Sequence, residues 1–425
     1  MLKRLTVLVP ILILVSGCSS EQSEVIRAVK QSPEKIVLRI FDRKVEVADK
    51  LKGLEALYEK EHPEVDLKVE TLGSNANFNE ELYSKIALNE APDIFSVDGY
   101  GSFEFWKDIA YDVTDKSWMK EVITGTTDSV TREGRIYGTP IALEAYGFLY
   151  NKELFRQARI TQIPTTLNEL RIAAQTLQSK GITPFSNGYR EFWVNGMHNF
   201  NVAVASQPDP HAFLEQARKG QIDFTRNKEL MGWVDLLDLT LDYGNKQPVA
   251  TDYNTQVKAF IDGKAAMMQQ GNWTQLTISQ SNPNLQVGML PMPVDDANRD
   301  YIYTGVPNYW IINKESEHPQ EAEKFMNWLL TSETGKQFLI KQLKFVPALK
   351  NFDYKSDDLG SIAESMQEYT EAGKTKMWYW DYFPEGATGK ISDLMQAYME
   401  KKINREQLLK GIQSLFVESN QKGGK

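Results

Sequence analysis

Aromatic residues stand beside short polar residues at several points in this sequence, and such neighbours have a definite chemistry. A sugar ring has flat C–H faces, which aromatic rings cover, and a rim of hydroxyls, which carboxamide, carboxylate and guanidinium groups hydrogen-bond. The tripeptide Gly-Asn-Trp at 271–273 follows a strand-like run, and the segment 378–382 is the densest aromatic group in the chain. Both are candidates for contacts to a ligand with apolar faces and hydroxyls, with core packing as the alternative for their tryptophans. The candidates are Asn272, Trp273, Trp380 and Asp381.

The elements that must hold such loops alternate between strand and helix. The apolar periodicity predicts strands at 35–41, 65–70 and 91–97 and helices at 49–62 and 79–88. This alternation predicts βα units and a largely parallel sheet, whose ligands bind at the carboxyl ends of the strands. Residues that follow the first and third strands are therefore further candidates, namely Asp42, Arg43, Asp98 and Tyr100.

Several segments, in order along the chain, resemble the extracellular solute-binding proteins of the carbohydrate class. Residues 135–140 (RIYGTP) and 146–155 (YGFLYNKELF) are similar to that family's YG-P and YNK-LF motifs. Further similar stretches are EAPDI at 90–94, GKAAMM at 263–268 running into GNW at 271–273, GMLPMP at 288–293, the segment 305–313 and the helical segment 322–326. The resemblance therefore spans most of the chain.

The resemblance implies an α/β fold of two lobes with a hinge and an interlobe ligand cleft, the type II architecture of periplasmic binding proteins. It places the N-terminal lobe at 34–142 and 302–346 and the C-terminal lobe at 143–301 and 347–425. The extended segments 143–149 and 300–310 are the hinge candidates, because closure needs only a few positions that absorb the dihedral change. The length agrees with two domains, since one core rarely exceeds about 250–300 residues.

The same resemblance implies four more site residues and the partners of the protein. Trp193 lies in a segment similar to one that carries a stacking Trp in oligosaccharide-binding relatives, Glu144 and Tyr146 lie at the first crossover, and Tyr309 lies near the second. The implied protein is a monomer that needs no cofactor or metal. It traps an oligosaccharide by closing its lobes and delivers it to the permease of an ABC-type importer.

The N-terminus predicts export and a lipid anchor. Two positive charges at 3–4 precede an apolar run at 5–15, which is typical of a secretory signal peptide at 1–17 and too short for a membrane span of roughly 20 residues. The sequence Val-Ser-Gly-Cys at 15–18 resembles the lipobox of bacterial lipoproteins, and Cys18 is the only cysteine. We therefore expect lipidation of Cys18, a polar tether at 18–33 and an extracytoplasmic location on the bacterial cell membrane.

Composition and motifs disfavour other classes of protein. The net charge is -9 and the basic residues form no stripe, so nucleic acid is not an expected partner. His62, His198, His211 and His318 are scattered without metal-ligand spacing, and no nucleophile elbow, Walker loop or dinucleotide fingerprint occurs. A secreted glycoside hydrolase, which needs a pair of carboxylates, and a surface carbohydrate adhesin stay open as alternatives.

Overall fold

A computed structural model describes residues 35–72, 78–297 and 299–422 of the chain. The expected signal peptide at 1–17, the tether at 18–33 and Cys18 lie outside these residues. In the described part, no helix combines the length and the apolar composition that crossing a membrane requires.

Strands and helices alternate through most of the described chain. The strands are β1 Ile36–Asp42, β2 Val65–Thr71, β3 Ile94–Val97, β4 Thr131–Arg132, β5 Arg135–Ile136, β6 Thr139–Pro140, β7 Ala142–Asn151, β8 Thr183–Ser186, β9 Ala265–Gly271, β10 Val287–Leu290, β11 Ile302–Gly305, β12 Tyr309–Ile312, β13 Val346–Pro347 and β14 Thr375–Met377. The helices are α1 Ala48–Glu61, α2 Phe78–Ala87, α3 Gly101–Trp106, α4 Lys152–Gln157, α5 Leu167–Ser179, α6 Phe200–Ala205, α7 Pro210–Arg218, α8 Lys228–Asp242, α9 Tyr253–Ile261, α10 Gln275–Ser281, α11 Pro319–Thr331, α12 Glu333–Gln337, α13 Ser356–Leu359, α14 Ser361–Glu371, α15 Ala387–Met399 and α16 Arg405–Lys422. Short 3-10 or π-helical turns at Trp193–Asn199, Asn272–Thr274 and Trp380–Tyr382 matter for the site.

The strands form two main sheets. The first has the order β2-β1-β3-β12-β6, and the second has the order β14-β11-β7-β9-β8, with β10 and β13 also paired to β7. The chain changes sheet at Ile141, between β6 and β7, and again at 306–308, between β11 and β12. Sheet membership thus places residues 302–305 with the second sheet, while the lobe boundaries given above stay a prediction.

The strands and helices expected for the first 60 described residues are confirmed. The α1 helix buries Leu51, Leu54 and Tyr58, whose three- and four-residue spacing puts them on one face, and it ends before Pro63, which lacks the backbone N–H needed to continue it. The β2 strand alternates buried Val65, Leu67 and Val69 with less buried polar residues, as a strand covered on one face should.

The expectation of largely parallel sheets is wrong for much of the molecule. The β1 strand runs parallel to β2 and β3, but β12 is antiparallel to β3, and β7 is antiparallel to β9, β10, β11 and β13. The β7 strand passes directly from the first sheet into the second, and β9, β10, β11 and β13 all return along it in the opposite direction.

Candidate functional site

Residues of the first lobe touch residues of the second across a cleft. The ring of Tyr100, which follows β3, lies 4.1 Å from the ring of Tyr382 between centroids, and the Tyr382 hydroxyl donates a hydrogen bond to the Tyr100 hydroxyl. Lys44, which follows β1, is ion-paired with Glu144 on β7. The cleft therefore lies at the carboxyl ends of β1 and β3, where the strand order predicts a ligand site.

Four rings of the second lobe form one group beside this cleft, which we call the aromatic floor: Trp193, His198, Trp273 and Trp380. His198 is at its centre, with ring centroids 5.1 Å from Trp273, 5.1 Å from Trp380 and 5.3 Å from Trp193. Trp193 and Trp273 are partly exposed, whereas His198 and Trp380 are buried. The three tryptophans expected at the site are distant in sequence, and the fold brings them together.

The position of Trp273 depends on the glycine two residues earlier. A Cβ at Gly271 would lie 2.2 Å from the Trp273 ring, so only glycine lets the indole lie against the end of β9. The Trp273 Nε1 donates a hydrogen bond of 2.8 Å to the side chain of Gln270. This bond satisfies the polar atom of the indole and leaves its ring face available.

Tyr146 lies behind the aromatic floor and is fully buried. Its ring stacks on His198 at 4.6 Å, and its hydroxyl donates to the His198 carbonyl at 3.0 Å. The same hydroxyl accepts a hydrogen bond of 2.8 Å from Asn201. These contacts fix the π-helical turn Trp193–Asn199 against β7.

Polar side chains of both lobes line the cleft next to the floor, and we call Arg43, Asp98, Tyr100 and Asp381 the polar rim. Arg43 is ion-paired with Asp98, and each side chain remains about a quarter exposed, at 25% and 28%. The Arg43 guanidinium also lies over the Phe78 ring, 4.7 Å from its centroid. A planar guanidinium held in this way can still offer hydrogen bonds to a ligand.

Tyr100 has a strained backbone. Its φ is 48° and its ψ is -110°, outside the regions that residues with a Cβ normally occupy. Its N–H donates to the Ser129 carbonyl at 3.0 Å, which helps to hold this conformation. Strain of this kind costs about 1–3 kcal/mol and is concentrated at functional sites.

Asp381 has an unusual acidity. Burial in the contact between the lobes raises its pKa to about 8, and the negative charge of Asp98 raises the pKa further, against a hydrogen bond from Trp378 and the charge of Arg43. In an open form that exposes the carboxyl to water, its pKa would be near the ordinary Asp value of about 3.9. Closing the lobes would then take up a proton at any pH between these two values.

We therefore expect the affinity for a ligand that closes the lobes to depend on pH through Asp381. As the pH rises from 5 to 8, protonating this carboxyl on closure becomes harder, so affinity falls by at most about tenfold per pH unit. Asp381→Asn has no proton to take up and should bind with little pH dependence over the same range. Titration calorimetry with the ligand at pH 5, 6, 7 and 8 measures this, and an equal slope in both proteins would contradict it.

The polar groups of three other expected site residues form hydrogen bonds within the protein. The Asp42 carboxylate accepts hydrogen bonds from Trp310 Nε1 at 2.6 Å and from the Lys44 N–H at 2.7 Å. The Asn272 amide accepts from the Ala145 N–H at 2.8 Å and donates to the Leu143 carbonyl, and the Tyr309 hydroxyl donates to a backbone carbonyl at 2.9 Å. All three are buried, and they fix the ends of β1, β7 and β12.

Glu144 belongs to a buried ionic cluster with Lys44 and Glu46. The Lys44 ammonium contacts Glu144 and lies 3.2 Å from Glu46, and these side chains are at most 14% exposed. Burial lowers the pKa of Lys44, but the charges of the two carboxylates outweigh burial, so the pKa of Lys44 is raised and the ammonium stays charged. The cluster joins the end of β1 to the start of β7.

The sequence did not point to His198, Lys44, Glu46 or Tyr382. Tyr382 lies inside the aromatic segment 378–382, and Lys44 directly follows the candidate Arg43. Both could have been found from their position next to expected site residues. His198 was harder to find, because residues five apart lie about 140° apart on an α-helix. A π-helical turn brings Trp193 and His198 into one group, and nothing in the sequence marks that turn.

The described residues contain no group of three or more His, Cys, Asp or Glu side chains that could hold a metal ion. Residues 44–336 match the model of the bacterial extracellular solute-binding protein family. The chain belongs to this family. Its fold is that of the type II periplasmic sugar-binding proteins.

Two relatives of this solute-binding protein are named for the sugars that they bind. The chain is 22% identical over 334 residues to the multiple sugar-binding protein of Streptococcus mutans, with 77% of each chain covered. It is 23% identical over 337 residues to the melibiose/raffinose/stachyose-binding protein of Bacillus subtilis, covering 77% of this chain and 76% of the other. Among solved structures, the solute-binding protein RafE in complex with raffinose superposes with a TM-score of 0.78 at 20% identity, covering 91% of this chain and 100% of that one.

Proposed function

We propose that this solute-binding protein traps an oligosaccharide between its lobes outside the cytoplasmic membrane and delivers it to the permease of an ABC-type importer. The observation that carries the proposal is the aromatic floor of the second lobe beside a polar rim supplied mainly by the first. Rings cover sugar faces and the rim meets sugar hydroxyls, so a full site exists only when the lobes close.

The proposed ligand contacts are Trp193, Trp273 and Trp380 of the floor and Arg43, Asp98, Tyr100 and Asp381 of the rim. Asp42, Glu144, Tyr146, Asn272 and Tyr309 are proposed to hold these contacts in place, because their polar groups are engaged inside the protein. We also propose that the protein is not an enzyme, because its family and its named relatives are solute-binding proteins.

Three indoles are more than one sugar ring requires, which favours an oligosaccharide. The relatives named for raffinose, melibiose and stachyose favour an α-galactoside of the raffinose type, and a malto- or isomalto-oligosaccharide is the second candidate. A dissociation constant near 1 µM, about -8 kcal/mol, is expected for a site of this size.

Closure of the lobes is the proposed transport signal. Moving the closed state from 1% to 99% requires about 5.5 kcal/mol of differential affinity, which stacked rings and several hydrogen bonds can supply. The hinges would be Ile141 with the start of β7 and the 306–308 segment, where the chain changes sheet. The permease would then recognise the closed form of a monomer.

The test combines binding, shape and product analysis. A thermal-shift panel of raffinose, stachyose, maltotriose and glucose identifies the ligand, and small-angle scattering with that ligand should give a smaller radius of gyration. Chromatography should recover the sugar intact. Binding without compaction would rule out the clamp, shortened sugar would indicate a hydrolase, and an unchanged melting temperature with all sugars would reject the function.

We further propose that the protein is a lipoprotein held at the membrane through Cys18. Cys18→Ala should leave sugar affinity unchanged but move the protein from the membrane fraction to the medium or periplasm. The reason is that stable anchoring needs two lipid chains, and the variant cannot receive the diacylglycerol. Fractionation followed by immunoblotting measures this, and a processed variant that stays on the membrane contradicts the anchor.

A further inference from the structure

His198 is enclosed by aromatic rings on several sides. Tyr146 stacks on one side with an interplanar angle of 18°, while Trp193, Trp273 and Trp380 surround the rest of the imidazole. The residue keeps 6% of its surface exposed. A ring held so closely has one orientation, and its two nitrogens therefore point in fixed directions.

The imidazole is neutral at physiological pH. Burial lowers the pKa of His198 to about 3, and no neighbouring charge contributes to this shift. A neutral imidazole has one N–H donor and one nitrogen acceptor, and its surroundings decide which nitrogen carries the proton.

Two buried amides assign the proton. Asn199 Nδ2 donates to Gln269 Oε1 at 3.3 Å, which turns the amide nitrogen of Gln269 towards His198 Nδ1 at 3.1 Å. An amide nitrogen can only donate, so with Gln269 in this orientation Nδ1 accepts and the proton is on Nε2. Gln269 on β9 is itself buried, with 2% of its surface exposed, and cannot exchange this role with water.

We propose, on the basis of the oligosaccharide site proposed above, that His198 donates its Nε2–H to a hydroxyl or ring oxygen of a sugar seated on the aromatic floor. The floor then offers a ligand three indoles, one neutral donor and no formal charge. This sector of the cleft selects an uncharged sugar ring and disfavours a uronate or an amino sugar, because desolvating an ionised ring there has no compensating partner. Any charged or strongly polar end of the ligand belongs at the polar rim.

The first test reads the tautomer in the unmutated protein. Long-range proton–nitrogen NMR on protein labelled with 15N-histidine should show one histidine in the Nε2–H form that does not titrate between pH 5 and 8. His198→Phe assigns this signal by removing it, and Gln269→Leu should release the tautomer into a mixture. An Nδ1–H form, or titration near pH 6.5, overturns the proposal.

The second test measures binding of stachyose and raffinose. His198→Phe keeps a ring in the floor but loses the donor, so affinity measured on the folded protein should fall about tenfold; the melting temperature should also fall, because the buried Gln269 amide loses its acceptor. His62→Phe is the matched control, because His62 also stacks on a tyrosine, with ring centroids 4.3 Å apart, but lies in the first lobe at the C-terminal end of α1. The sugar affinity of this variant should not change.

The outcomes separate this proposal from the function on which it rests. If the wild type binds no sugar of the panel, both fail. If the wild type binds and His198→Phe binds equally well, only the role of His198 fails. If His198→Phe does not fold, the wild-type signal decides: the Nε2 proton should shift on adding stachyose, and an unmoved proton rejects the donor role.

Discussion

Trp273→Ala is expected to weaken sugar binding by roughly 30- to 700-fold, about 2–4 kcal/mol, while changing folding stability little. The indole packs against the end of β9 and beside His198 but stays partly exposed in the aromatic floor, so part of its surface is available for a sugar. Calorimetry measures the affinity, and denaturant unfolding measures the stability of the same variant.

Trp233→Ala is the matched control, because Trp233 belongs to the same lobe but is fully buried against Phe200. Removing it should cost about 3–5 kcal/mol of folding stability and leave the affinity of the folded fraction unchanged. If Trp273→Ala behaves like this control, with normal binding and early melting, Trp273 is a core residue and must be withdrawn from the site.

The parts of the fold that depend on local pattern could be predicted from the sequence. The α1 helix and the β2 strand follow from apolar spacing and from Pro63, and the loop after β3 is where a strand end should place ligand groups. The direction of the strands around β7 could not be predicted. It depends on how the chain passes from one sheet to the other, and no local propensity records that path.

The residues of the site likewise divide into features that the sequence predicts and features that it does not. Composition identifies tryptophans beside polar residues, and the structure groups Trp193, Trp273 and Trp380 as such chemistry requires. Composition cannot tell whether a polar side chain faces the ligand or the backbone. The sequence predicts Asp42 and Asn272 as ligand contacts. In the structure, Asp42 accepts a hydrogen bond from Trp310, and Asn272 accepts one from the backbone of β7.

Lys44→Met is expected to lower folding stability by about 3–5 kcal/mol, because Lys44 is the cation of a buried ionic cluster. Lys44 is the cation of a cluster in which Glu46 and Glu144 are at least 86% buried at their side chains. Without it, two desolvated carboxylates face each other with no compensating charge, and the link between β1 and β7 is lost. Urea unfolding at pH 7 measures the change.

The physical cause can be separated from a general loss of lysine packing. Lys68→Met removes the partner of Asp66 in an ion pair of 2.7 Å that is 58% exposed at the lysine, so its cost should stay below about 1 kcal/mol. The double variant Lys44→Met with Glu144→Leu removes one stranded carboxylate and should recover part of the loss. Burial already raises the pKa of Glu144, and losing Lys44 should raise that pKa further. As the pH falls, Glu144 becomes protonated, so the stability cost of Lys44→Met should shrink. A penalty that is the same at pH 5 and pH 8, or a double variant no more stable than the single one, would mean that the cluster does not act through buried charge.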